Sequence, residues 1–90
     1  NDASPIAHMY LGISLLQLRR YDEAEAELRR AATTGKNEVS MAHKYLGGLY
    51  WSKKEYKRAA DELEKYLELS PKAPDAERVR GTVKELRGKS

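Results

Sequence analysis

Ninety residues are enough for one domain but leave only a small core to bury. With 40% hydrophobic and 34% charged side chains, the composition is that of a soluble folded chain, and no apolar run approaches the roughly 20 residues a membrane helix needs. The absence of cysteine excludes a disulfide scaffold, a thiolate nucleophile and a cysteine-based metal site, and it says nothing about compartment.

The net charge of +3 is unevenly placed. Residues 1–71 balance 11 basic against 11 acidic side chains, so the whole excess falls in residues 72–90. A mild terminal excess of this kind reads as a solubilising end rather than a nucleic-acid footprint. No signal-peptide pattern opens the chain. It starts on Asn1 and ends on Gly88-Lys89-Ser90, so both ends read as cuts in a longer polypeptide.

Taken in order, Ser4-Pro5 predicts a helix start, with a capping hydroxyl followed by a residue whose missing N–H is harmless in the first turn. From Pro5 to Leu18 only His8, Ser14 and Gln17 are plainly polar, which predicts a helix buried on more than one side and closed by Arg19-Arg20. Tyr21-Asp22 opens a second helix after a very short turn, so the two are expected to lie antiparallel. Ala24, Leu28, Ala31 and Ala32 give it an inner stripe, Glu25 and Arg29 stand at a favourable i, i+4 spacing, and Gly35 is placed for a left-handed cap. Asn37 is expected to cap a third helix running to about Ser52. A fourth is predicted over 55–69, ended by Ser70-Pro71. Pro74 starts a fifth, whose single stripe of Ala76, Val79, Val83 and Leu86 suits a closing helix. No strand pattern competes.

One stretch is written twice. Leu11-Gly12, Tyr21, Ala24 and Leu28 return as Leu46-Gly47, Tyr56, Ala59 and Leu63, all at an offset of 35. That period is the mark of a stacked helical repeat. On these residues, with Pro71 and with Gly81 following Gly47 by 34, the chain resembles the tetratricopeptide repeat family over almost its whole length. The resemblance implies an all-α fold, a right-handed α-α superhelix of helical hairpins. One domain over 1–90 would hold repeat 1 at about 5–38, repeat 2 at about 40–73 and a capping helix at 74–90. Gly12, Gly47 and Gly81, with Ala24 and Ala59, are then expected at close helix crossings. The chain departs from the family pattern in three places. His8 and His43 stand where a Trp is common, Leu28 and Leu63 where an aromatic is common, and the first junction has one extra residue and no Pro.

The family holds peptides on a wall built from the first helix of each unit. Carried over, that wall takes Ile6, Met9, Tyr10, Ile13, Leu16 and Gln17, then Met41, Lys44, Tyr45, Gly48, Trp51 and Ser52, then Asp75, Arg78, Val79 and Thr82. Met9, Tyr10, Ile13, Leu16, Lys44, Tyr45 and Trp51 are the peptide- or protein-binding residues expected. The family's carboxylate clamp for chaperone tails is not expected. Met9, Ile13 and Tyr45 replace its first Lys and two Asn, and Asp75 and Val79 replace its second Lys and its Arg. An apolar wall suits a partner with hydrophobic anchors. The alternative is a structural segment, its wall covered by further repeats of a longer array or by a second copy of the chain.

His8 and His43 read as helix-packing residues, since no converging ligands accompany them. Lys53, Lys54, Lys57 and Arg58 around the second turn offer a weaker route to RNA, but Glu55, Asp61 and Glu62 interrupt them, and a solvated face is the simpler reading. Glu23, Glu25 and Glu27 likewise read as surface. No nucleophile–base set or phosphate loop is present, so neither an enzyme nor a cofactor is expected.

Overall fold

In the computed structural model, which describes residues 4–89, the Ser4 hydroxyl accepts a hydrogen bond from the Ala7 N–H at 3.1 Å and starts helix α1 (Pro5–Gln17). The chain reverses into α2 (Tyr21–Thr34), passes through a 3₁₀ turn (Asn37–Val39), and continues as α3 (Ser40–Ser52), α4 (Tyr56–Leu69) and α5 (Ala76–Lys89). The fold is all-α, and the described residues contain no strand. Asn1 and Ser90, expected to mark cuts, lie outside the described residues. Asn37 opens the 3₁₀ turn rather than capping α3, whose N-terminus has no side-chain cap.

The two hairpin turns are built alike. Arg19 and Lys54, 35 apart, both take left-handed backbone at φ 62° and 63°. Arg20 N–H then donates to the Leu15 carbonyl and Glu55 N–H to the Tyr50 carbonyl, both at 2.9 Å. This six-to-one closure satisfies carbonyls that a helix end leaves open, and it sets the short antiparallel return. Gly35 does not share that conformation: its φ of −94° and ψ of 178° are extended. The expectation of a left-handed cap there is corrected, because Gly35 is placed for space. A Cβ on it would lie 2.3 Å from Val39 Cγ2.

Within each hairpin a glycine lets the helices touch. A Cβ on Gly12 would fall 2.6 Å from Leu28 Cγ, and one on Gly47 would fall 2.8 Å from Leu63 Cγ. Ala24 and Ala59 are fully buried at the same crossings. The hairpins then join in series, α2 packing on α3 and α4 on α5. Leu28, Val39, Leu46, Tyr50 and Leu86 are the largest side chains wholly removed from solvent. On α5 the expected stripe of Ala76, Val79, Val83 and Leu86 is the buried face.

Two expectations fail for one reason, the lack of a neighbour. Gly81 lies at no crossing and meets no atom within 4 Å, since no helix packs over that side of α5 among the described residues. Helix α1 is not buried on several sides: Ile6, Tyr10 and Leu11 are exposed, as is Leu18 just past its end. The repeat makes the cause visible, because Leu11 is 47% exposed whereas Leu46, its counterpart, is 0% exposed on α3, a helix that packs against α2 of the preceding hairpin.

Gly47→Ala is expected to lose about 1–3 kcal/mol by overpacking against Leu63. Gly81→Ala, in open space inside a helix, is expected to gain about 0.5–1 kcal/mol. Urea denaturation of both variants checks the pair, and effects of the same sign would contradict the packing described.

Candidate interaction surface

The wall is held in place by a polar cluster where the hairpins meet. The Tyr50 ring is fully buried in α3, and its hydroxyl uses its full capacity. It accepts from Arg29 Nη2 at 2.7 Å and Arg58 Nη2 at 2.9 Å, and it donates to Glu25 Oε2 at 2.6 Å. The Arg58 guanidinium also lies 4.1 Å from the ring centroid. Burial and the bond to Glu25 push the Tyr50 phenol above its usual range, while the Tyr50 hydroxyl and Lys53 hold the Glu25 carboxyl below its own. Glu25 and Arg29 therefore do not form the expected i, i+4 pair. They meet through the tyrosine hydroxyl of the next hairpin.

Beside this cluster, Glu62 of α4 is buried and bound on both oxygens, to His43 Nδ1 at 2.8 Å and to Arg29 Nη2 at 3.0 Å. Burial opposes its charge, but the His43 and Arg29 contacts outweigh it and keep the carboxyl below its ordinary value. His8 repeats the motif in the first hairpin, with Nδ1 2.7 Å from Glu27 Oε1. Both histidines thus pack between helices, each fixed by a glutamate 19 residues on. That partnership was missed in the sequence, although the 35-residue offset links Glu27 to Glu62 as it links His8 to His43. Glu25 and Glu27 are half-buried structural groups, which corrects their reading as plain surface.

Helices α1, α3 and α5 present the expected wall as two adjoining recesses. One, of about 270 Å³, is lined by residues including Leu16, Tyr21, Tyr45 and Ser52. The other, of about 200 Å³, is lined by residues including Trp51, Asp75, Arg78, Val79 and Thr82. Lys44 and Gly48 belong to both. Each is below the roughly 300–1,000 Å³ of a typical small-molecule pocket, a size that suits single side chains. A third recess, of about 390 Å³, lies outside the wall among Lys36, Asn37, His43, Lys65 and Glu68.

The charge on the wall is anchored. Lys44 Nζ is 2.6 Å from Asp75 Oδ2, and the Tyr66 hydroxyl donates to Asp75 Oδ1 at 2.6 Å. Lys44 and then Tyr66 draw the Asp75 carboxyl below its usual range. Burial and the Asp75 bond push the Tyr66 phenol up to about 12.

Of the residues expected on the wall, Leu16, Lys44, Tyr45 and Trp51 come together around these recesses. Tyr10 is exposed and Ile13 half-buried on α1, and neither lines either of these two recesses. Met9 belongs to the core at 4% exposure, so its place among the binding residues is corrected: its side chain packs inward. In the basic turn, Lys53 pairs with Glu25 at 3.3 Å, and Arg58 pairs with Glu55 at 2.9 Å. Two of the four cations offered for RNA therefore already hold carboxylates. Among the described residues no cluster of three or more His, Cys, Asp or Glu could hold a metal ion, and no helix is long and apolar enough to cross a membrane.

Comparison with family models gives the tetratricopeptide repeat, matched over residues 1–39 and again over 11–74. Comparisons with curated proteins and with solved structures give no significant match.

The charges on Glu62, Glu25 and Asp75 predict an acid limb to stability. Each has a folded pKa below its unfolded value, so its contribution is full above about pH 4.5 and is lost as pH falls through the folded value. Glu62→Gln is expected to cost about 1–3 kcal/mol at neutral pH. The gap to the parent should narrow steadily below about pH 4.5 in urea melts run at several pH values. A gap that stays constant into acid would contradict the role given to Glu62.

Proposed function

Because the chain belongs to the tetratricopeptide repeat family, whose repeats mediate protein–protein interactions or act as scaffolds, we propose that this domain holds a peptide or protein segment against the wall of α1, α3 and α5. The units are read as about 5–38 and 40–73, with the closing helix within 74–90. Leu16, Tyr45 and Trp51 supply the apolar anchors and Lys44 the polar edge. Tyr10 and Ile13 extend the contact along α1. The observation that carries this reading is the pair of adjoining recesses, of side-chain size, between aromatic and aliphatic walls. Aromatic residues in such places supply a large share of binding energy.

A second reading is favoured by one specific observation, the exposed apolar residues Ile6, Tyr10 and Leu11 on α1 with Leu18 at its end. Another unit of a longer array, or a second copy of the chain, would cover them, as α2 packs against the α3 helix that carries Leu46.

Short peptides selected from a random display library on the purified domain are expected to lose about tenfold or more in affinity to Tyr45→Ala or Trp51→Ala, with a smaller effect on Tm. Binding that ignores both substitutions would overturn the groove reading, and variants that simply unfold would make these residues core. Sedimentation of the same samples over a range of concentrations tests the second reading. A dimer abolished by Leu11→Lys supports it, and a strict monomer removes self-association.

A further inference from the structure

We propose that Gly48 forms the floor of a notch that takes one aliphatic side chain of a bound segment, and that an acidic residue beside it in that segment meets Arg78. This deepens the peptide-binding reading and rests on it.

The repeat itself reveals the notch. Where the first hairpin places Ile13, the second places Gly48, 35 residues on. A glycine inside a helix is less favourable than alanine, so it needs a compensating reason. Gly47 has one inside the molecule, since a Cβ there would strike Leu63. Gly48 has none: a Cβ added to it would meet no heavy atom within 4 Å. Gly81 and Gly88 share that open space but line neither of the two wall recesses, whereas Gly48 lines both. The missing side chain leaves a gap in an otherwise continuous wall, with Tyr45 to one side and Trp51 to the other. A small helix surface of this kind permits close approach by another chain.

The charge of the ligand follows from which groups on the wall are already engaged. Asp75 is engaged on both oxygens, one by Lys44 and the other by Tyr66. Arg78 is 4.0 Å from Asp75 Oδ2, and its side chain is 79% exposed. It makes no hydrogen bond to that carboxylate among the described residues. Arg78 is thus held only by a long, exposed i, i+3 ion pair, and Lys44 and Arg78 against Asp75 leave one net positive charge beside the notch. A carboxylate on the ligand meets it favourably, whereas a basic neighbour meets like charge.

The test selects short random peptides by display on the full chain, then measures the enriched peptides on Gly48→Leu, Arg78→Glu and Trp51→Ala. The expected peptides carry Leu, Ile, Val or Met next to Asp or Glu. They should bind about tenfold or more weakly to Gly48→Leu, whose Tm is unchanged or raised because the new side chain enters open space. Arg78→Glu should cost about fivefold in binding and should shift selection toward basic neighbours. Peptides that need Trp51 but bind Gly48→Leu unchanged, or that show no acidic enrichment, overturn this inference and leave the groove reading standing. If nothing is enriched, or the enriched peptides ignore Trp51→Ala, the groove reading fails and this inference with it.

Discussion

The Tyr50 hydroxyl is where two helical hairpins become one body. It belongs to α3, yet its three partners are Glu25 and Arg29 of α2 and Arg58 of α4. A buried phenol left without partners is expensive, and the half-buried Glu25 and Arg29 lose part of their solvation too. Bringing the four together satisfies all of them, and among the described residues no buried side-chain polar atom lacks a partner. Such a cluster has one low-energy arrangement, so it fixes the angle and register at which the second hairpin sits on the first. Glu62, held between His43 and Arg29, adds a second fixing point on the same seam.

The wall depends on that seam. Leu16 and Tyr21 reach the first recess from the first hairpin, and Lys44, Tyr45 and Gly48 reach it from the second. A small rotation between the hairpins would open or close it without breaking either hairpin. The second recess depends in the same way on α5, which Tyr66 and Lys44 tie down through Asp75. Polar anchors therefore sit at the junctions, and the recesses, lined in part by Leu16, Tyr45 and Trp51, lie between them.

The two glycine crossings were readable from the repeat, because each glycine answers to the same local neighbour, whereas the His–Glu pairs repeat just as regularly and were missed. Gly12 meets Leu28 and Gly47 meets Leu63, so an offset of 35 was enough to place both. Leu16, Lys44, Tyr45, Gly48 and Trp51 were placed on one wall by the family resemblance alone, and they line the two recesses. What belongs to one position only was not readable. Gly81 continues the spacing but has no packed helix opposite it. Met9 turns inward to the core, although Lys44, its counterpart 35 residues on, stands on the wall. The Tyr50 cluster was invisible for the same reason: its counterpart in the first hairpin is Leu15, so no period announces it. A left-handed cap was expected at Gly35 after α2, because glycine usually supplies it, whereas that conformation occurs at Arg19 after α1 and Lys54 after α3.

If the seam governs the fold, the hairpins open together. Native-state hydrogen exchange measures this directly, by comparing the amides of Leu28 in α2 with those of Leu46 in α3 and Leu63 in α4. The account predicts one shared opening free energy for all three in the parent chain, and in Tyr50→Phe a separate, lower one for the first hairpin. A parent chain in which the Leu28 amide already exchanges independently, at a free energy that Tyr50→Phe leaves unchanged, would contradict it.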